Sequence, residues 1–313
     1  YFNLHTAANA GGELRGQLIP PGARLYVATL SGAQESPPVT TRATGNFQAV
    51  LNYARNDVRY HVVTVDLTGL TAGHLHRNVA GSNGPVAVAL TTPALAAFGG
   101  NVTLTAPDAD LLEAGRLYAN FHTTANPGGE IRGQVTLPGE EVFVAQLTGA
   151  QENPSVATPS GGSAQLLLGA DGLSARIAAT TTAMPSAAHI HTAMAGLNGP
   201  VTIGVTTVGP EMNQTAVLTS MQASDLLGAL MYFNVHTAAN AGGEVRGQLL
   251  RPGETLWTAR LTGAQETPPV AGDAFSNGMV VVRANGTSIA YRVQASITPT
   301  AAHIHTGPGG VNG

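Results

Sequence analysis

Nine of the ten histidines in this 313-residue chain fall in motifs that recur in step. His74-Leu75-His76, His189-Ile190-His191 and His303-Ile304-His305 follow one another at intervals of 115 and 114 residues. A single histidine recurs at intervals of 117 and 114, as His5, His122 and His236. On a strand, positions i and i+2 share a face about 6.6 Å apart, at about 3.3 Å per residue. Two such imidazoles reach one ion through metal–nitrogen bonds of about 2.0–2.1 Å, and a third from a neighbouring strand completes a three-histidine set with an open position. The candidate ligands are His74, His76 and His122 in one module and His189, His191 and His236 in the next. His303 and His305 at one end of the chain, and His5 at the other, are parts of further sets. Imidazole suits copper or zinc, and the absence of cysteine argues against a blue-copper centre. The competing role is capping of strand ends and loop amides. Capping would be served as well by Asn or Ser, so the third periodic histidine favours a metal.

A Glu-x-Arg pair travels with the single histidine: Glu13 and Arg15, Glu130 and Arg132, Glu244 and Arg246. Two apart on a strand, these read as a structural pair. A sharper alternative has Glu130 orienting a ligating histidine from behind. No catalytic residues are assigned, because no Ser or carboxylate pair recurs beside a histidine in a triad-like setting. The alternative function is a copper- or zinc-dependent redox enzyme or electron-transfer protein, since His-x-His on a strand is similar to the superoxide dismutase site.

The elements that must carry these side chains repeat too. Gly-Ala-Gln-Glu begins at Gly32, Gly149 and Gly263, again at intervals of 117 and 114. Three markers on one period define tandem modules of ordinary domain length. The expected organisation is residues 1–22, the back of an interrupted repeat; 23–138 and 139–252, complete repeats; and 253–313, the front of another. Residues 1–18 read as a closing strand. Leu25–Leu30 opens the next unit, and Gly45 to Leu67 alternates as two strands joined at Arg55-Asn56-Asp57, with Asp171-Gly172 and Asn285-Gly286 at the matching turns. A helical turn is expected over Leu104–Gly115, with Pro107 near its start and a counterpart at Ser224–Leu227. Many short strands with Gly, Pro and Asn turns predict an all-β antiparallel sandwich or barrel per module with one short helix.

Three motifs in this order carry a resemblance. They are Leu-Thr-Gly-Ala-Gln-Glu-x-Pro-Pro-Val, Ala-His-Ile-His-Thr-Gly-x-Gly-x-Asn-Gly-Pro-Val, and Asn-x-His-Thr-x-x-Asn-x-Gly-Gly-Glu-Ile-Arg-Gly-Gln. Together they resemble the CHRD (chordin-type) domain over essentially the whole chain. The resemblance implies an immunoglobulin-like β fold and an extracellular or cell-surface location, and little chemistry. The first full module departs from the pattern at Arg77, which places a cation beside the histidines.

Composition bounds the function. Charged residues are 10% of the chain and the net charge is −4, which gives no basic field and argues against nucleic acid as a partner. No apolar run of about 18 residues occurs, so no transmembrane segment is expected. Tandem repetition and low charge suggest an extracellular structural or adhesive protein. The chain opens and closes inside a repeat, so the expected partners are copies of itself, head to tail in a fibre or longer array, with strands donated across the junctions.

Overall fold

The structure, a computed structural model, describes residues 1–93, 95–207 and 209–313. Its contacts divide the chain into two units, Tyr1–Val142 with Leu167–Asp171, and Phe143–Leu166 with Gly172–Gly313.

The first unit begins with a two-stranded antiparallel ribbon of β1 (Phe2–Leu4) and β2 (Leu14–Gly16). The sequence suggested one closing strand here. The structure turns it into a hairpin because Thr6 and Asn9 exchange backbone hydrogen bonds and Gly12 adopts φ 127°. There follow β3 (Arg24–Ser31), a 3-10 turn over Gly32–Gln34, β4 (Thr44–Leu51), β5 (Asp57–Val65), β6 (Leu70–Arg77), β7 (Val86–Leu90), β8 (Ala97–Thr103), α1 (Ala106–Glu113), β9 (Leu117–Thr123) and β10 (Ile131–Gln134). From β3 onward these strands form one antiparallel sheet in the order β7-β6-β9-β10-β3-β4-β5-β8. Its edge strands β7 and β8 return into contact, so the sheet nearly closes into a barrel. This is the barrel-like form of the expected all-β module.

Alternation explains the curl. Along β5, Val58, Tyr60, Val62 and Thr64 are buried while the residues between them face out. The inward set meets Tyr26, Leu30, Phe47, Leu75, Phe121 and Ile131 in one core. Each large apolar side chain buried there is worth about 1.5–3 kcal/mol. The β4–β5 turn closes on Asn52, whose Oδ1 accepts the N–H groups of Asn56 and Asp57. The helix starts at Thr105, whose side chain caps the N–H of Asp108, and Pro107 lies in its first turn.

A second sheet, mostly within the second unit, repeats the plan. Its strands are β11 (Glu141–Thr148), β12 (Gly161–Leu168), β13 (Ser174–Thr181), β14 (Ala187–Thr192), β15 (Val201–Val205), β16 (Glu211–Val217), β17 (Met231–His236) and β18 (Val245–Gln248), with α2 (Ser220–Leu227) before β17. The order β15-β14-β17-β18-β11-β12-β13-β16 matches the first sheet strand for strand. A capping box between Thr219 and Gln222 starts α2. The same unit ends in a three-stranded sheet of β19 (Thr255–Thr262), β20 (Phe275–Val282) and β21 (Ile289–Ala295). Met279 and Val281 of that sheet are buried against Met194 and Ala229.

Candidate metal centre

In each complete module β9 or β17 runs centrally, beside the His-x-His strand. His76 lies directly opposite Tyr118, His74 opposite Asn120, and Ala72 opposite His122. His122 is therefore diagonal to His74 on the same face, within reach of its ring. The pairing of β6 with β7 slips between Leu75 and His76, and that of β14 with β15 between Ile190 and His191. Such an irregularity can re-aim a side chain, and it falls at the same histidine in both modules.

The three rings converge. His74 Nδ1 lies 3.1 Å from His122 Nε2, and His189 Nδ1 lies 3.1 Å from His236 Nε2. In each set one nitrogen per ring falls within 4.8 Å of the other two. Two bonds of about 2.0–2.1 Å at a tetrahedral angle place their nitrogens about 3.3 Å apart, so the close pair has ligand spacing.

The outer nitrogens fix the tautomers. His76 Nδ1 meets Gly84 O at 3.0 Å, and His122 Nδ1 meets Pro127 O at 2.9 Å. A carbonyl only accepts, so both Nδ1 atoms carry hydrogen and both Nε2 atoms present lone pairs. The second module repeats this with Gly199 O and Ala241 O, each at 3.0 Å. His76 Nε2 and His191 Nε2 are buried and have no hydrogen-bond partner. Both modules thus present the same buried lone pair, free to accept. Burial, and then the neighbouring imidazole His122 or His236, holds His74 and His189 below the ordinary histidine range; burial also lowers His76 and His191, against the raising effect of their carbonyl bonds. The lowering favours the neutral form that metal coordination would require.

The glutamates and arginines lie around this cluster in unequal roles. Glu130 accepts from Thr123 Oγ1 at 2.5 Å and from Thr41 Oγ1 at 2.7 Å. The backing bond of His122 goes to Pro127, so Glu130 braces the β9–β10 turn rather than a ligand ring. Glu244 likewise takes Thr158, Thr237 and Asn240, and the first of these contributes most to holding its carboxyl down at about 2. Arg132 and Arg246 are buried, with guanidiniums over the rings of Tyr118 and Tyr232. Arg77, the cation beside the first site, is drawn off by Asp108 at the start of α1, 2.6 Å away.

The remaining predicted ligands are not gathered in this way. His5 is exposed in the first unit, with Nδ1 on Ala10 O, and Glu13 and Arg15 flank it on the β1–β2 ribbon. His303 and His305 are exposed in the second unit, outside any strand. Among the described residues, three-histidine groups form only in the two complete modules.

Sequence reasoning passed over Tyr118 and Tyr232, which stack on His76 and His191 with ring centroids 5.0 and 4.9 Å apart and planes 6° from parallel. Their periodicity with Tyr1 was the available signal. It also passed over Glu35 and Glu152 of the Gly-Ala-Gln-Glu motif, whose carboxyls burial pushes up to about 7.

Compared with known families, the chain matches the model of the CHRD domain over residues 26–135, 143–249 and 257–313. Neither the curated proteins nor the solved structures gave a match.

Proposed function

The chain belongs to the CHRD domain family, and from that premise we propose that it is an extracellular structural or adhesive repeat protein whose complete modules each hold one transition-metal ion. The ligands are His74 Nδ1, His76 Nε2 and His122 Nε2, and in the second module His189 Nδ1, His191 Nε2 and His236 Nε2. One observation carries the metal reading: in both modules a buried Nε2 without a partner faces two further imidazole nitrogens, while the opposite nitrogen is committed to a backbone carbonyl. Three neutral imidazoles suit copper or zinc, and the bound ion would leave one coordination position for an outside ligand.

The family, whose domains are typical of secreted proteins, supports that location. Among the described residues no helix is long and apolar enough to cross a membrane. Tandem repetition supports a scaffold in which modules join head to tail, spacing ions along an array. Sedimentation of the purified chain tests that assembly.

The decisive experiment for the metal is elemental analysis of untagged protein that has never met a metal column, with thermal unfolding before and after chelation. Two equivalents of copper or zinc per chain, and a melting temperature that falls on their removal, are expected. No stoichiometric metal, and no rise in melting temperature on adding either ion, would leave the histidines as hydrogen-bonded caps.

A further inference from the structure

Behind each ligand that carries the orphaned nitrogen lies a buried stack. Arg132 is 1% exposed, and its guanidinium carbon sits 3.4 Å from the centroid of the Tyr118 ring. Tyr118 in turn stacks on His76. The same guanidinium donates through Nη2 to Ser82 O at 2.7 Å and Val79 O at 3.3 Å, and through Nη1 to Asn83 Oδ1 at 3.1 Å. It therefore fastens the loop between β6 and β7 by two backbone carbonyls and one side chain.

That loop delivers Gly84, which joins the stack to the ligand. The Gly84 N–H donates to Tyr118 Oη at 3.0 Å, and its carbonyl takes the His76 Nδ1–H at 3.0 Å. No side chain fits at this peptide, since a Cβ on Gly84 would lie 1.6 Å from Arg77 O. The His76 ring is thus set by a parallel neighbour and by one carbonyl, and Arg132 touches the supports of both. A planar fork that bonds two sides of a loop while stacking on an aromatic ring is a task for Arg that Lys does not perform.

The second module repeats the stack and the glycine latch, with the arginine held through Asn198 and, by its Nε, through Gln151 O at 2.6 Å. Arg246 is 3% exposed and lies 4.5 Å from the Tyr232 centroid, and its Nη1 donates to Asn198 Oδ1 at 2.9 Å. Gly199 N–H donates to Tyr232 Oη at 3.2 Å, and Gly199 O takes His191 Nδ1–H.

We propose that Arg132 and Arg246 are positioning residues for the metal centres, acting through Tyr118 and Gly84, or Tyr232 and Gly199, on His76 and His191. This rests on the three-histidine metal reading, and it adds the residues that aim the third nitrogen.

The test uses the full chain, with the unaltered second module as internal reference and cobalt(II) as the spectroscopic probe. Wild type takes up two equivalents at matched affinity. Arg132→Lys is expected to keep one and to weaken the other about 10–100-fold, the usual cost of losing an outer-shell partner, with an altered ligand-field spectrum for the weak site. Tyr118→Phe keeps the stack but removes the Gly84 acceptor; it decides the matter should Arg132→Lys fail to fold, and about a 10-fold loss is expected there. Folded variants that bind two equivalents with unchanged affinity and spectrum would overturn the proposal. A metal-free readout separates it from the reading beneath it. In nuclear magnetic resonance, the His76 Nδ1 proton of Arg132→Lys should lose its protection from exchange while that of His191 keeps it. If wild type binds no cobalt but the proton is lost selectively, the metal reading fails and positioning stands. If the His76 proton is equally protected in wild type and variant, positioning fails whatever the metal does.

Discussion

The same His-x-His sequence has two outcomes in this chain. At residues 74–76 and 189–191 it forms part of a three-nitrogen cluster, and at 303–305 it is an exposed pair. The pair is nonetheless well made. The rings of His303 and His305 lie 5.7 Å apart at 89°, close to the 5.6 Å and 86° of His189 and His191. His305 Nδ1 reaches Gly313 O at 3.0 Å, the same eight-residue latch that holds His76 to Gly84. The β1–β2 ribbon keeps the other half in local form: His5 is latched to Ala10 O, and Arg15 lies 3.8 Å over Tyr1. Each half-site is shaped by its own short stretch, and only the pairing of β6 with β9, or β14 with β17, brings three nitrogens together. The motif makes the pair, and the sheet makes the cluster.

The strongest way to sharpen this comparison is through the core. Phe143 and Trp257 hold equivalent positions on β11 and β19, yet they are 1% and 64% exposed. Phe143→Ala should cost about 3–5 kcal/mol, the range for a buried aromatic. Trp257→Ala should stay within about 0.5 kcal/mol, as for an ordinary surface change. Denaturant unfolding of the two variants measures both. Equal costs would mean that β19–β21 is packed as fully as the complete sheets.

His122→Ala converts a complete site into the equivalent of the 303–305 pair. Affinity at that site should fall by more than about 100-fold, beyond the loss expected of an outer-shell partner, while the His189, His191 and His236 site is unchanged. Calorimetric titration with zinc reads the two sites separately. Retention of tight binding would show that two histidines suffice.

A smaller effect comes from the glycine latch. Gly199→Ala puts a Cβ 2.0 Å from Thr192 O, whereas Gly196→Ala meets no atom within 4 Å although its φ is 81°. The first should destabilise by about 1–3 kcal/mol through overpacking, and the second by about 1–2 kcal/mol from left-handed strain alone. Unchanged melting temperature in Gly199→Ala would show that the loop moves freely.

The smallest and most diagnostic effect is in pH. Glu35 and Glu152 titrate near 7 in the fold, above the ordinary 4.5. Burial favours their protonated form, so their contribution is complete below about 4.5 and is lost as pH rises towards about 7. Histidines held neutral by burial slope the other way, so the clean measure is a difference. Metal-free wild type minus the Glu35→Gln, Glu152→Gln double variant should lose melting temperature steadily across that window. A flat difference would place both carboxyls in the ordinary range.

Much of this was legible in the sequence. Period-2 alternation gave β4, β5 and their turn, and Pro107 with its acidic neighbours gave α1, because these signals are local. The grouping of His74 and His76 with His122 followed from period and residue type. Hidden from sequence were the curl of eight strands into one near-closed sheet and the strand order that puts β9 beside β6, both set by long-range pairing. The partners of Glu130 were hidden for a related reason. Its spacing from Arg132 implied a strand pair, whereas Thr41, 89 residues away, claims its carboxylate. Tyr118 is core, and its second role exists only because His76 lies opposite it.

The two kinds of contact in the centre also differ in when they can form. The latches close loops of five and eight residues, but the His74–His122 contact closes a loop of 48. Segments of about ten residues close in tens of nanoseconds, while distant strand pairings are the slow steps of β-proteins. The half-sites are therefore expected to form before the sheet pairing that joins them. If the centre holds an ion as proposed, its uptake by a refolding chain would report the docking of β9 against β6, or of β17 against β14.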